Sequence, residues 1–198
     1  MAYKILLNNE EFHFDEDGLP CLVHYENKTG GSQFSMTIFA DLFLQGSKTL
    51  MLTAYPMAKD NFYEQTKGME SKIFFAEKKE DLVGSEKYQA IILKSGDGNL
   101  FMEALKTLKD IQDRVVLVKN FEIFDQNILD SSIKLEKIIF SGDINKSTAK
   151  KQISEKQFTT LIVFSDPKTL LPIKIPKLER YIGYLKTTNK EGLVKVNM

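Results

Sequence analysis

The chain has 198 residues, of which 42% are hydrophobic and 27% are charged, an ordinary composition for one globular domain with a sizeable core. Its 27 basic and 27 acidic residues cancel, so bulk charge argues against general attraction to nucleic acid. No apolar run approaches the roughly 20 residues of a membrane span, and the first residues lack the apolar stretch of a signal peptide. We therefore expect a single domain over residues 1–198, no membrane insertion and a cytoplasmic location.

Apolar runs of strand length alternate with helical patterns along the chain. This alternation predicts an α/β fold in which helices flank a mainly parallel sheet. A short antiparallel pair is predicted to precede the sheet, and a β-hairpin is predicted to end the chain. The predicted strands are 3–7, 11–14, 20–24, 48–55, 72–76, 88–93, 114–118, 137–140, 160–164, 181–186 and 193–196, and the predicted helices are 32–44, 58–66 and 99–109.

The strand at 20–24 is followed by a loop that matches part of a phosphate-binding motif. Residues 25–32 read Tyr-Glu-Asn-Lys-Thr-Gly-Gly-Ser, and the P-loop pattern is G-x-x-x-x-G-K-[ST] before a helix. Gly30 and Ser32 fit the second glycine and the terminal hydroxyl. Tyr25 stands at the first glycine, and Gly31 stands at the lysine that reaches the β- and γ-phosphates. The bulk of Tyr25 and the absent lysine predict a reshaped loop that does not cradle phosphate.

The order of elements resembles the RecA-like P-loop ATPases, particularly their KaiC-like branch, over most of the chain. Those proteins share a strand preface, a phosphate loop, a parallel sheet and a terminal antiparallel hairpin. The resemblance implies an aspartate that organises Mg²⁺ after a later strand, but Lys94 follows the apolar run 89–93 at that position. A cation there would repel the metal. The resemblance also implies acidic residues after the strand that follows the loop helix, and residues 52–56 contain none.

Losing the phosphate lysine, the metal aspartate and the water-polarising acid together favours a domain without catalysis, because phosphoryl transfer depends on these charges. The leading hypothesis is a pseudo-ATPase that needs no cofactor and serves as a structural or regulatory partner of an active relative or of itself. The alternative is an ATP-binding protein or switch in which Lys28 or Lys94 replaces the absent lysine. In either case the candidate nucleotide site, vestigial or displaced, comprises Lys28, Thr29, Gly30, Gly31, Ser32 and Lys94.

Other candidate residues favour structural roles. His13 and His24 have no accompanying residues at metal-ligand spacing, and Cys21 lies in an apolar strand without an evident base. Residues 141–145, and Asn120 with Glu122, follow apolar strands, which is where α/β proteins place ligands. A third hypothesis is a nucleic-acid-binding module that uses the lysine-rich stretch 146–177, although the zero net charge weighs against it.

Overall fold

One sheet forms the centre of this computed structural model, which describes residues 4–53, 62, 64–93, 98–168, 171 and 174–197. In chain order, the strands of this described part are β1 (Lys4–Leu7), β2 (Glu10–Phe12), β3 (Cys21–His24), β4 (Thr49–Thr53), β5 (Ile73–Ala76), β6 (Ala90–Leu93), β7 (Val115–Lys119), β8 (Ile138–Gly142), β9 (Thr160–Val163), β10 (Gly183–Lys186) and β11 (Glu191–Asn197). Its α-helices are α1 (Gly31–Leu44), α2 (Asn99–Thr107), α3 (Gln126–Ile133) and α4 (Lys150–Glu155).

Seven neighbouring strands of the sheet run parallel, in the order β9-β3-β8-β7-β4-β6-β5. Strands β3, β4, β6 and β7 are buried along their whole length, as expected when helices cover both faces. From β3 the chain passes through α1 to β4 on one side, whereas β9 lies on the other side of β3. Open α/β sheets bind ligands at the carboxyl edge where the strand order reverses in this way, so the end of β3 is the position to search.

Four antiparallel strands extend the sheet beyond β9, in the order β10-β11-β1-β2. The β10–β11 hairpin pairs Lys186 with Glu191, and β1 pairs with β11 through Lys4 and Asn197. The turn between β1 and β2 places Asn8 and Asn9 at φ values of 52° and 70°, a left-handed conformation that asparagine tolerates well. The two ends of the chain are therefore joined in one sheet.

The sheet separates two apolar layers. Helix α1 packs on one face through residues such as Phe34, Ile38 and Phe39, and its layer includes Val115 and Leu117 of β7. Helices α2, α3 and α4 cover the other face, where Val116 and Val118 of β7 are buried. Successive side chains of a strand point to opposite faces, so β7 serves both layers in strict alternation.

Helix α1 begins and ends at glycines. Gly30 precedes it at φ 96°, and Gly46 follows it at φ 100°. The Gly46 N–H donates to the Phe43 carbonyl at 3.0 Å, and the Ser47 N–H donates to the Leu42 carbonyl at 3.1 Å. This pair of bonds satisfies the last carbonyls of the helix and requires a left-handed residue at position 46. A glycine directly after an amphipathic segment is a sequence signal for a helix end, and Gly46 has that role here.

The predicted α/β class and the mostly parallel sheet are confirmed, but the sheet is mixed and its antiparallel strands all lie at one edge. Helices α3 and α4 were not predicted from the sequence. Asp125 begins α3, and its carboxylate accepts the Ile128 N–H at 3.1 Å, an N-cap signal that is legible in the sequence. Most of the predicted helix at 58–66 lies outside the described residues.

Candidate functional site

The loop after β3 connects directly to the N-terminus of α1. The Tyr25 N–H donates to the Gly142 carbonyl at 3.1 Å, which ties the start of the loop to the end of β8. The first helical hydrogen bond runs from the Phe34 N–H to the Gly30 carbonyl at 3.0 Å. The N–H groups of the residues before Phe34 have no partner within the helix, as at every helix start, and they face the carboxyl edge of the sheet.

Tyr25 fills the space beside Gly31. Its side chain is buried, and a Cβ atom added to Gly31 would clash with the Tyr25 Cβ. A lysine at position 31 therefore has no room while Tyr25 keeps this position. Burial raises the pKa of the Tyr25 phenol to about 12, with a smaller contribution in the same direction from the Glu122 carboxylate. The phenol is consequently neutral and acts as a hydrogen-bonding group.

A segment from the far end of the chain covers the other side of the loop. The Tyr181 N–H donates to the Thr29 carbonyl at 3.1 Å, and Arg180 Nε donates to the Lys28 carbonyl at 3.3 Å. A Cβ atom added to Gly30 would lie 2.9 Å from Tyr181 Cδ1. The Arg180 guanidinium lies 4.7 Å from the centre of the Tyr181 ring. The loop is thus held between Tyr25 and residues 180–181, a contact that sequence spacing did not reveal.

The predicted site residues are placed in different surroundings. Lys28 is exposed and has a left-handed backbone at φ 67°, and the Thr29 hydroxyl donates to the Glu26 carbonyl at 2.8 Å. Ser32 is half-buried in the first turn of α1. Lys94 lies outside the described residues. The strand before it, β6, is four positions from β3, which corresponds to about 19 Å at the usual strand spacing.

His24, the last residue of β3, holds three segments together. Its Nδ1 accepts the Ile144 N–H at 3.2 Å, and its Nε2 lies 3.2 Å from the Ser165 hydroxyl. That hydroxyl also accepts the Glu26 N–H at 2.9 Å. Burial lowers the pKa of His24, although Asp143 opposes the shift. A neutral ring that accepts at Nδ1 and donates at Nε2 fits this network, so His24 is a structural residue, as expected.

Lys119 at the end of β7 was not identified from the sequence as a site residue. It is 7% exposed, and burial lowers its pKa to about 8. Within the described residues, its ammonium has no hydrogen-bond or ion-pair partner. The strand was predicted to end at position 118. The sequence signal for Lys119 is its position directly after a run of apolar residues, at the end of a buried parallel strand.

Tyr25 reaches the ends of the strands beside β3. Its hydroxyl oxygen lies 3.4 Å from Ser141 Oγ on β8 and 3.5 Å from Asn120 Nδ2, directly after β7. These distances are long for hydrogen bonds, so the three groups are neighbours that bind one another weakly. Asn120 has a left-handed backbone at φ 56°. The candidate positions Asn120 and Ser141 are therefore brought together at the carboxyl edge.

The acidic residues near this edge have internal partners. Glu122 Oε2 accepts the Asp143 N–H at 3.1 Å, and Asp143 Oδ1 accepts the Asn145 N–H at 3.0 Å. Asp143 Oδ2 lies 3.1 Å from Lys146 Nζ, and this carboxylate raises the pKa of Lys146. These contacts shape the turn after β8. The helix that follows, α4, has Ala149 at its N-cap and no side-chain cap, so residues 141–145 form a turn and do not cap a helix.

Several of the lysines in the stretch 146–177 are engaged within the chain. Lys146 pairs with Asp143, Lys151 Nζ lies 3.9 Å from Glu155 Oε1, and Lys156 Nζ donates to the Ile133 carbonyl at 2.7 Å. A stripe for nucleic acid requires basic groups that are directed to solvent. Lys156 is directed to a backbone carbonyl, whereas Lys146 and Lys151 remain exposed beside a carboxylate that offsets part of their charge.

In the part of the chain that the structure describes, no group of three or more His, Cys, Asp or Glu side chains is arranged to hold a metal ion. Burial raises the pKa of Cys21, which leaves the thiol uncharged. No helix among the described residues has the length and apolar character needed to cross a membrane.

Comparison with models of protein families gives no match for this chain, and no curated protein matches its sequence.

Proposed function

We propose that this chain is a RecA-like P-loop domain that does not hydrolyse ATP and that acts as a structural or regulatory partner of another protein, an active relative or a second copy of itself. The strand, loop and helix at residues 21–44 support the P-loop part of the proposal. The antiparallel preface and the terminal hairpin, both joined to a mostly parallel sheet, support the RecA-like part.

The packing of Tyr25 against Gly31 carries the proposal. An active P-loop uses backbone N–H groups, the helix N-terminus and a lysine to surround phosphate. Here the phenol ring occupies the volume beside position 31, where that lysine side chain would begin. The segment at 180–181 holds the loop from the opposite side. Closing the loop in this way removes the space for a triphosphate chain.

Thermal unfolding with and without Mg-ATP tests the proposal. We expect no ATP hydrolysis above background and no rise in melting temperature at millimolar Mg-ATP. A site filled at about 100 times its dissociation constant would stabilise the protein by roughly 2.7 kcal/mol, worth a few degrees at this size. A clear shift that disappears in Lys28→Ala or Lys94→Ala would instead support ATP binding through a displaced lysine.

Two variants of the loop distinguish the effect of the absent lysine from the effect of the contact between Tyr25 and position 31. Gly31→Lys should lower the melting temperature, because its Cβ meets Tyr25, and it should not restore hydrolysis. Adding Tyr25→Ala to Gly31→Lys removes that contact and should recover part of the lost stability. If Gly31→Lys alone binds Mg-ATP tightly, the closed loop is not the reason for inactivity. Sedimentation velocity of the unmodified chain tests self-association, the simplest form of the partner role.

A further inference from the structure

The side chain of Lys119 lies on the same face of the sheet as α1. Val115 and Leu117 of β7 belong to the α1 layer, so strict alternation places Lys119 there too. In the parallel register, Lys119 is level with Ser141 of β8 and Thr53 of β4. Ser141 is in turn level with Val23 of β3, two residues before Tyr25. Lys119 and the N-terminus of α1 therefore share one face and one edge.

Lys119 is largely buried and has no partner among the described residues, but its Nζ is not one of the fully enclosed unpartnered atoms and so keeps access to solvent at the carboxyl edge. Taking an ammonium out of water is costly unless a carboxylate or several acceptors replace the lost hydration. Within the described part of the chain, burial is the only influence on the pKa of Lys119, so no carboxylate of that part lowers this cost. The nearest acidic residue along the chain, Glu122, instead accepts the Asp143 N–H. An unpaired and largely buried cation at this edge is a candidate for binding an anion.

The groups around this position are hydrogen-bond donors. Asn120 contributes a side-chain amide, and Ser141 and Tyr25 contribute hydroxyls. The Tyr25 oxygen lies 3.4 Å from Ser141 Oγ and 3.5 Å from Asn120 Nδ2, so these groups bind one another only weakly. The N-terminus of α1, a fourteen-residue helix, adds a partial positive charge on the same face. An ammonium, an amide and hydroxyls together match the acceptor oxygens of a phosphate-type group.

We propose that Lys119 is the anchor of a binding site for a small oxyanion of the phosphate class, at the carboxyl ends of β7 and β8. The site goes beyond the proposed function, because it takes a single small anion and needs neither a loop that surrounds a phosphate chain nor Mg-ATP. We expect a small ligand, since Tyr25 packs against Gly31 at the start of α1. Asn120 and Ser141 supply the neutral donors that orient the anion.

The test compares sodium phosphate with sodium chloride at equal ionic strength, using the melting temperature of the full chain near pH 7. We expect a saturable rise with millimolar phosphate and little change with acetate, which carries the charge of a carboxylate. Lys119→Met should raise the dissociation constant for phosphate at least about tenfold. The matched control is Lys156→Met, because Lys156 contacts the carbonyl of Leu135 before β8, at the opposite edge of the sheet.

Three outcomes would overturn the site. The first is an equal rise in melting temperature in the unmodified chain and in Lys119→Met, because it indicates a general salt effect. The second is a rise with acetate and none with phosphate. The third is the lack of a saturable rise with phosphate in the unmodified chain. If Lys119→Met fails to fold, amide NMR of the unmodified chain decides: phosphate should move the resonances of Asn120 and Ser141, and unmoved resonances contradict the site. A shift with Mg-ATP would contradict the proposed function instead, so the two failures are distinguishable.

Discussion

Strand β7 carries a buried cation at each end, and the two cations are treated in opposite ways. Arg114, just before the strand, donates to both carboxylate oxygens of Asp110 at 2.9 to 3.0 Å and to four backbone carbonyls at 3.1 to 3.2 Å. Lys119, at the other end, has no partner within the described residues. The cation at the amino edge is thus fully paired and stabilises the fold, whereas the cation at the carboxyl edge is unpaired.

The pKa values of the neighbouring groups express the same contrast. Burial acts to raise the pKa of Asp110, but the hydrogen bonds and charges of Arg114 and Lys48 outweigh it and hold that pKa below its usual value. Burial acts alone on Lys119 and lowers its pKa. A fully satisfied buried charge indicates a structural role, whereas an unsatisfied one at a sheet's carboxyl edge indicates a ligand site.

The largest effect is expected at Arg114. Arg114→Met removes all of its side-chain hydrogen bonds, which leaves the four carbonyls without this donor and Asp110 with Lys48 alone. We expect a loss of about 3–5 kcal/mol in the free energy of unfolding, measured by urea denaturation. Lys151→Met, at an exposed surface pair, is the control and should leave the unfolding midpoint unchanged. A loss below about 1 kcal/mol at Arg114 would contradict the structural assignment.

Replacing Lys119 should raise the free energy of unfolding, the opposite of the effect expected at Arg114. Below about pH 8 both the folded and the unfolded chain carry the proton, and burial of the charge lowers stability by roughly 3 kcal/mol. Lys119→Met should therefore stabilise the phosphate-free protein near pH 7. As the pH rises from about 8, the folded state releases its proton before the unfolded state, so the unmodified chain gains stability that the variant does not.

Urea denaturation of both chains between pH 7 and pH 10 measures this effect. The advantage of Lys119→Met should shrink by up to about 1.4 kcal/mol per pH unit above pH 8. An advantage that stays constant over this range means that Lys119 is not desolvated. A destabilised variant at pH 7 means that the ammonium has a partner.

A smaller effect is expected at His24, a buried group that is satisfied in its neutral form. Because burial lowers its pKa, the unfolded chain takes up a proton below about pH 6.5 while the folded chain does not. Stability should fall with decreasing pH by up to about 1.4 kcal/mol per unit from this residue. His24→Asn keeps an acceptor for the Ile144 N–H and lacks the titration, so its slope between pH 7 and pH 5.5 should be shallower. Equal slopes would exclude the neutral network.

The region from β3 to α1 was predicted well because its signals are local. The apolar spacing of α1 and the glycine at 46 define the helix without reference to the rest of the chain. Tyr25 was identified as a bulky substitution in the loop, and its ring does lie against Gly31. Local sequence therefore sufficed for the elements and for one of the site's residues.

The site around Lys119 could not be predicted because it depends on strand order and register. A sequence does not show that β7 lies two positions from β3, or that Lys119 is level with Ser141. The predicted site combined residues 28–32 with Lys94, and the strand before Lys94 lies farther from the loop than β7 does. The contact of Tyr181 with Gly30 likewise joins residues that are distant in sequence. Long-range pairing is the physical information that local patterns lack.

The pKa of the Lys119 amine, measured by NMR of the lysine side chains, tests the central claim most directly. The account predicts a midpoint of about 8 in the phosphate-free protein, well below that of the exposed lysines, and a rise toward the ordinary value when phosphate is saturating. The rise follows because a bound anion stabilises the charged form. A midpoint equal to that of the exposed lysines, unchanged by phosphate, would contradict it.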